Sequence, residues 1–174
     1  MLKLYESFQG TLVLSLRIGG PVGKILGPII NPNNLYIEGW HVEDSQSGEQ
    51  LILLSKDIRE LISQGIAIDD HEVLSTEEDL VRLQDILKLN FSLPGLKVTS
   101  QSGRNYGKVT DFAFETSNFY VQKIYVAQPV IRNFAGGTLS VDRSQIIEIT
   151  NRRVIIEDPT VKADNKIPAA VPVN

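Results

Sequence analysis

The sequence repeats itself, and this constrains its fold more than any other feature. Residues 10–42 match residues 94–126 at an offset of 84 with no gap, and a second block matches at an offset of 88. The matches include Leu12 with Leu96, Ser15 with Thr99, Gly23-Lys24-Ile25 with Gly107-Lys108-Val109, Asn34-Leu35-Tyr36-Ile37 with Asn118-Phe119-Tyr120-Val121, and Ile66-Ala67-Ile68-Asp69-Asp70 with Val154-Ile155-Ile156-Glu157-Asp158. Two blocks in the same order indicate two copies of one unit of about 65 residues.

Each copy is predicted to consist of short β-strands separated by turns. The apolar runs predict strands over 12–16, 23–26, 35–42, 51–54 and 66–68 in the first copy, and over 107–114, 119–127, 138–141 and 154–157 in the second. Residues 58–61 and 146–149 are predicted to form either a turn or a fifth strand. Gly19, Gly23, Gly103 and Gly107 bracket the first hairpin of each copy and are expected to be turn residues.

The expected fold class is all-β. Short strands with glycine turns in each copy predict a small closed barrel, because closure removes exposed strand edges. Pro28 and Pro32 are expected to shorten the paired strands of the first copy. Two tandem β-barrels joined by a short α-helix are therefore predicted.

The helix is predicted between the two copies. Ser75 and Glu78 are spaced as a capping box, with Ser75 as the N-cap. Leu80, Leu83 and Leu87 follow at helical spacing, and these apolar positions predict a helix that packs on one or both barrels. The predicted organisation is a first barrel over 1–74, a helical linker over 75–91, a second barrel over 92–158 and a disordered tail over 159–174.

Composition excludes several kinds of chemistry. The chain has no cysteine, which excludes disulfides, cysteine-ligated metal sites and thiol nucleophiles. His41 and His71 are not at metal-ligand spacing, and no metal or cofactor is expected. No apolar stretch is long enough to cross a bilayer, and the N-terminal residues do not resemble a secretory signal. A cytoplasmic protein is expected.

No motif of the sequence predicts catalysis. The segment from Gly19 to Lys24 superficially resembles a phosphate-binding loop, but three residues separate Gly19 from Gly23 where the loop needs four, and Ile25 follows the lysine. No G-x-S-x-G sequence is present. The run from Asp69 to Glu72 is interpreted as a solvated strand end in preference to a weak cation site. The protein is not expected to be an enzyme.

The aromatic residues are interpreted as structural. Tyr36 and Tyr120 occupy equivalent positions in the two copies, which indicates a shared role. Trp40 aligns with Ile124, which predicts a core position. None of these aromatics is interleaved with a basic run, as a surface that stacks nucleic-acid bases would require.

Charge is distributed unevenly along the chain. Residues 1–74 carry a net charge of −5, whereas residues 91–158 carry +2, within a total of −4. This distribution argues against direct nucleic-acid binding, which needs a basic stripe, and would suit a basic protein partner at the first half. Ordinary solubility charge is the alternative.

The repeated pattern resembles the PRC-barrel family. The matching elements are the G-x-x-x-G-K-[IV] hairpin, the aromatic or aliphatic strand that follows, and the closing I-x-I-x-D segment, over about residues 8–72 and 92–158. The family includes the cytoplasmic domain of the photosynthetic reaction-centre H subunit and the C-terminal domain of a ribosome maturation factor. The resemblance implies a tandem PRC-barrel protein and identifies a fold far better than a function.

The candidate partner-binding residues lie in the second copy. The loop that follows its third strand is unusually apolar, and an exposed apolar patch would mark a contact site. Arg152 and Arg153 lie in a predicted turn and could meet phosphate or an acidic peptide, with ordinary exposed turn charge as the alternative. The candidates are Pro129, Val130, Ile131, Arg132, Phe134, Arg152 and Arg153.

Two functions are consistent with these features. The first is a non-catalytic protein-interaction or adaptor module that binds an unidentified protein, with self-association left open. The alternative is an accessory factor in ribosome maturation or RNA metabolism that acts through a ribosomal or processing protein. Attachment to a membrane complex through a protein partner is a weaker third reading, because the sequence has no lipid anchor or basic amphipathic helix.

Overall fold

The chain is mostly β and forms two sheets. The computed structural model describes residues 1–128 and 137–158. The elements are β1 (Leu2–Leu4), β2 (Leu12–Ser15), β3 (Gly20–Asn31), β4 (Tyr36–Asp44), β5 (Gln50–Leu54), β6 (Ile58–Ile62), β7 (Gly65–Ile68), α1 (Gln84–Leu89), β8 (Lys97–Ser100), β9 (Asn105–Glu115), β10 (Val121–Ala127), β11 (Thr138–Asp142), β12 (Ile146–Ile149) and β13 (Arg153–Ile156). The all-β expectation is confirmed.

Both sheets follow one strand order. The first runs β5-β4-β3-β2-β7-β6, and the second runs β11-β10-β9-β8-β13-β12 with β1 added beside β9. In each sheet the first strand of the copy pairs in parallel with the penultimate one, β2 with β7 and β8 with β13. The repeat in the sequence is therefore a repeat of topology.

The expected closure of each barrel by hydrogen bonds is not found. β5 and β6 lie at opposite ends of the first strand path, and β11 and β12 lie at opposite ends of the second. A 3₁₀ turn, Ser55–Asp57, carries the chain round the corner between β5 and β6. At that corner the buried hydroxyl of Ser55 donates to the carbonyl of Ile37 at 2.6 Å, so a side chain satisfies a backbone group of β4.

Pro28 does not shorten a strand of the first copy as expected, whereas β3 ends at Asn31, directly before Pro32. β3 has 12 residues and contains both Pro21 and Pro28. Pro28 is paired with Trp40 of β4, whereas β2 pairs only with residues 20–24 of β3. At Pro28, β3 therefore pairs with another strand on one edge only. Proline has no backbone N–H to donate, and this costs little because the other edge is unpaired.

The linker differs from its predicted form. Its α-helix has six residues, Gln84–Leu89, and follows a 3₁₀ turn over Val81–Leu83. Ser75 is not an N-cap, because its backbone forms a β-bridge with Ile52 of β5. Leu83 packs with Ile29 and Ile52 in a small apolar cluster, so the linker covers part of the first sheet. Tertiary pairing thus outweighs a local capping signal.

The two sheets meet through equivalent residues. Tyr36 and Tyr120 form a β-bridge, and their ring centroids lie 5.1 Å apart. The amide of Ile37 donates to the carbonyl of Phe119, and the amide of Val121 donates to the carbonyl of Leu35, both at 2.9 Å. These reciprocal contacts relate the halves by an approximate two-fold axis, as in an isologous dimer.

The same junction explains the strongest match of the repeat. Leu35 and Phe119 have positive φ values of 58° and 57°. The side chains of Asn34 and Asn118 accept hydrogen bonds from the amides two residues later, which stabilises each turn. The Asn-Leu-Tyr-Ile and Asn-Phe-Tyr-Val segments are therefore turns that also build the junction between the sheets.

One apolar core serves both sheets. Trp40 and Phe114 are fully buried, one from each sheet, with ring centroids 5.5 Å apart. Phe8 lies between them, at 4.6 Å from Trp40 and 5.3 Å from Phe114. The core position predicted for Trp40 is confirmed.

The N-terminal segment crosses from one sheet to the other. β1 pairs with the end of β9, and Tyr5 stacks on Phe112 of the second sheet at 5.0 Å. The chain then inserts Phe8 into the common core and enters β2 of the first sheet. The first residues of the first copy are thus part of the second sheet.

Candidate interaction surfaces

The outer face of β2 carries a stripe of leucines, Leu12, Leu14 and Leu16, called here the leucine stripe. Burial along β2 alternates: Val13 and Ser15 are buried, Leu14 is half-buried, and Leu12 and Leu16 are 44% and 63% exposed. This alternation is expected for a strand with one face in the core. The linker covers Ile29 and Ile52 and does not bury the leucine stripe.

The second copy has a polar face at the same place. Leu12 pairs with Lys24 and Gly65, and Lys97 pairs with Lys108 and Arg153, the matching neighbours in the second sheet. β8 has the same burial pattern as β2, so Lys97, Thr99 and Gln101 stand where Leu12, Leu14 and Leu16 stand.

The matching of β2 with β8 by their pairing and burial corrects the sequence alignment of the first strand by one residue. The alignment placed Leu12 over Leu96 and Ser15 over Thr99, whereas the structure places Ser15 over Ser100. The first hairpin of the second copy is one residue shorter, because Gly19 follows Ser15 by four residues and Gly103 follows Ser100 by three. A shift of one residue exchanges the two faces of a strand, which hid the leucine stripe.

The predicted partner-binding residues are only partly placed. Pro129, Val130, Ile131, Arg132 and Phe134 lie outside the described residues. Arg152 and Arg153 are exposed where the chain enters β13, and Arg153 is the Cα partner of Lys97. The structure thus places Arg153 of the predicted turn beside Lys97, which was not among the predicted residues.

The four glycines have two different roles. Gly19 and Gly103 adopt positive φ values of 72° and 84° in open turns, as expected for turn residues. Gly23 and Gly107 instead lie where another strand approaches closely: a Cβ on Gly23 would lie 2.9 Å from the carbonyl oxygen of Glu43, and one on Gly107 would lie 1.9 Å from that of Ala127. The G-x-x-x-G spacing therefore combines a turn with a close contact between strands.

The acidic run after β7 is used in ion pairs. His71 Nε2 lies 2.7 Å from the Asp44 carboxylate, which is 3% exposed. Arg17 pairs with Asp70, and Arg59 lies 2.6 Å from Asp69. Across residues 1–128 and 137–158, no group of three or more His, Asp or Glu side chains is placed to hold a metal ion. These side chains fix the loops at one end of the first sheet.

Asp44 organises the loop that follows β4. Its carboxylate accepts hydrogen bonds from the amide and the hydroxyl of Ser47, at 2.9 Å and 2.7 Å. Burial by itself would raise the pKa of Asp44, but the hydrogen bonds from Ser47 and His71 outweigh it and hold the pKa at about 2. The ionised carboxylate is therefore the form that the folded protein stabilises.

The Asp44→Asn variant should be less sensitive to acid than the wild-type chain. The pKa of Asp44 is lower in the folded than in the unfolded state, so its stabilisation is present above about pH 4 and is lost as the pH falls towards 2. The difference in unfolding free energy between the two proteins should shrink by about 2 kcal/mol over that range. Urea unfolding at several pH values measures it, with Glu43→Gln as the control, and a constant difference would contradict the prediction.

A cavity of about 360 Å³ lies between the linker and the first sheet. His41 and Glu77 line it, and His41 Nδ1 lies 2.9 Å from the side-chain nitrogen of Gln50. Burial lowers the pKa of His41, opposed by the nearby Glu77 carboxylate. The lowered pKa favours the neutral form of the His41 ring. His41 and Gln50 therefore form a side-chain pair under the linker.

Comparison of the sequence with protein-family models yields no match, and comparison with curated proteins yields no similar protein. Among the helices of the described residues, none is both long and apolar enough to span a membrane. The function is therefore inferred from the chemistry of the surfaces.

Proposed function

We propose that this chain is a non-catalytic protein-interaction module, built from two units of the PRC-barrel type, that acts in the cytoplasm. The resemblance of both copies to that family and their common strand order support the choice of fold. The observation that carries the function is the leucine stripe on the outer face of β2.

The comparison between copies indicates that the fold does not need these leucines. The second sheet is built with Lys97, Thr99 and Gln101 at the same three positions, with the same pattern of burial. Exposed leucines at these positions cost solubility without contributing to the core. A contiguous exposed apolar strip that the fold does not require is characteristic of a docking surface.

The surroundings of the stripe indicate the chemistry of its partner. Leu14 lies beside Ala67, and Ala67 lies beside Glu60, an exposed carboxylate at the rim. Glu72, near Arg17 at the same end of the sheet, has a side chain that is 82% exposed. Lys24, the Cα partner of Leu12, is balanced by Glu43 on the next strand. With a net charge of −5 over residues 1–74, this half of the chain suits an apolar protein segment flanked by basic residues.

The test exchanges the stripe for the residues of the other copy. The variant L12K/L14T/L16Q should fold, because β8 already carries these side chains on the same framework. It should bind the partner at least about tenfold more weakly than the wild-type chain. The matched control, V81K/L89T/I147Q, makes the same replacements at three other exposed apolar residues and should bind normally.

The partner is isolated by capture with the wild-type chain, with and without ribonuclease, and its contact segment is then synthesised as a peptide. Binding of that peptide to the purified variants is measured by fluorescence anisotropy. A segment with an apolar face and basic flanks, lost only with the stripe variant, supports the proposal. Loss of capture on ribonuclease treatment, or self-association that the stripe variant abolishes, would overturn it.

A further inference from the structure

The outer face of the second sheet carries an unbalanced row of positive charge. Lys108, Lys97 and Arg153 are Cα partners on three adjacent strands, β9, β8 and β13, so their side chains share one face. All three are exposed, and Arg152 is exposed next to Arg153. We call these three residues the basic row.

The equivalent row in the first sheet is balanced. There Lys24 takes the place of Lys108, with Glu43 as its Cα partner on the other side, and Leu12 and Gly65 take the places of Lys97 and Arg153. In the second sheet the residue opposite Lys108 on that other side is Ala127. The first sheet therefore shows that this fold does not require positive charges on adjacent strands at these three positions.

Within residues 1–128 and 137–158, no carboxylate forms an ion pair with the basic row, Lys97, Lys108 and Arg153. Like charges on directly opposite residues of neighbouring strands destabilise a sheet. A bound anion would relieve this repulsion, so the three charges favour the binding of a negatively charged ligand.

The size of the row limits the anion. Neighbouring strands lie about 4.8 Å apart, so three charges span only about 10 Å. Nucleic-acid binding proteins commonly neutralise about 6–10 phosphates, which needs a basic stripe longer than this row. A short run of carboxylates matches the length of the row, and the guanidinium of Arg153 can bind one of them through two parallel hydrogen bonds.

A groove runs beside the row. It has a volume of about 240 Å³ and is lined by Lys97, Asn105, Gly107, Lys108 and Ala127. A volume of this order accommodates a side chain or two and no large ligand. The groove places the two lysines along its wall, where they can meet the acidic side chains of an extended segment.

We infer that the basic row binds an acidic peptide segment of a protein partner. This site lies on the second sheet and is separate from the leucine stripe. The chain would then be an adaptor with two faces of opposite character, the first for an apolar segment with basic flanks and the second for an acidic one. The approximate two-fold symmetry of the fold presents the two faces at equivalent positions.

The test measures binding of a fluorescent octaglutamate peptide to the full chain by anisotropy at increasing salt. We expect binding that weakens with salt and that falls at least about tenfold in K97Q/R153Q. K56Q/R82Q removes one exposed lysine and one exposed arginine outside the row and should bind like the wild-type chain. The stripe variant L12K/L14T/L16Q should also bind octaglutamate normally, which separates this site from the proposed function.

Single-stranded oligouridylate of the same length and inorganic phosphate serve as competing probes. If neither probe displaces octaglutamate at equal concentration, the result supports an acidic-peptide site. Tighter binding of oligouridylate than of octaglutamate, lost in K97Q/R153Q, would overturn the proposal in favour of a nucleic-acid surface. Absence of octaglutamate binding, or equal loss in both charge variants, would also overturn it. Circular dichroism of each variant confirms that the fold is retained.

Discussion

Gly107→Ala is expected to lower the free energy of unfolding by about 3–5 kcal/mol, a large share of the stability of a domain of this size. A Cβ at this position would lie 1.9 Å from the carbonyl oxygen of Ala127, far inside van der Waals contact. Gly107 also has a φ of 119°, which side chains of L-residues rarely adopt. The added methyl group would force β10 away from β9, and both are interior strands of the second sheet.

Two other glycines provide a graded control. Gly103→Ala keeps open space around the new Cβ but strains a φ of 84°, so a loss of about 1 kcal/mol is expected. Gly20 has neither a positive φ nor a neighbour within 4 Å, and Gly20→Ala should change stability by less than about 0.5 kcal/mol. Urea unfolding followed by circular dichroism measures all three. Equal losses at Gly103 and Gly107 would mean that the contact with Ala127 is not what requires glycine.

Phe114→Ala is the second large effect, with an expected loss of about 3–5 kcal/mol from a cavity in the common core. The ring is fully buried in the second sheet and contacts Phe8 and Trp40. Because Trp40 belongs to the first sheet, the variant should destabilise both halves together. Trp40 is the only tryptophan of the chain, so its fluorescence reports on the part of the common core that the first sheet contributes.

The test compares Trp40 fluorescence with far-ultraviolet circular dichroism during urea unfolding of Phe114→Ala. Coincident transitions at lower urea than in the wild-type chain are expected for a common core. A fluorescence transition that stays at the wild-type position while circular dichroism shifts would show that the sheets unfold independently. Val81→Ala, at a position that is 79% exposed, is the control for a change outside the core and should have little effect.

The predictability of the fold differed between strands and linker. Most predicted strands exist with bounds within two residues, because alternation and β-branched residues report directly on a half-buried strand. β3 is longer than expected, because Pro28 is paired on one edge only and so does not interrupt the strand. That arrangement is a property of the sheet and is not visible in the sequence. The capping box at Ser75 was wrong for a related reason: a backbone bridge to Ile52 takes the residue that would have begun the helix.

The surfaces were less predictable. An alternating Leu12, Leu14 and Leu16 is visible in the sequence, but its meaning depends on the equivalent residues of the second copy. The gapless alignment was one residue out of register there and compared Leu12 with the apolar Leu96. The basic row could not be found by sequence at all, because Lys97, Lys108 and Arg153 are brought together only by pairing of strands distant in the chain.

By itself, the sequence determined that the chain contains two copies of one β-rich unit and that it has no cysteine chemistry. Repetition and composition are properties of the chain, and strand patterns are local, so both are readable without a structure. Tertiary structure decided that equivalent tyrosines meet at an approximate two-fold axis, that one core serves both sheets, and which face of each first strand points outward. These features depend on hydrogen-bond register between residues far apart in sequence, where a shift of one residue exchanges buried and exposed side chains.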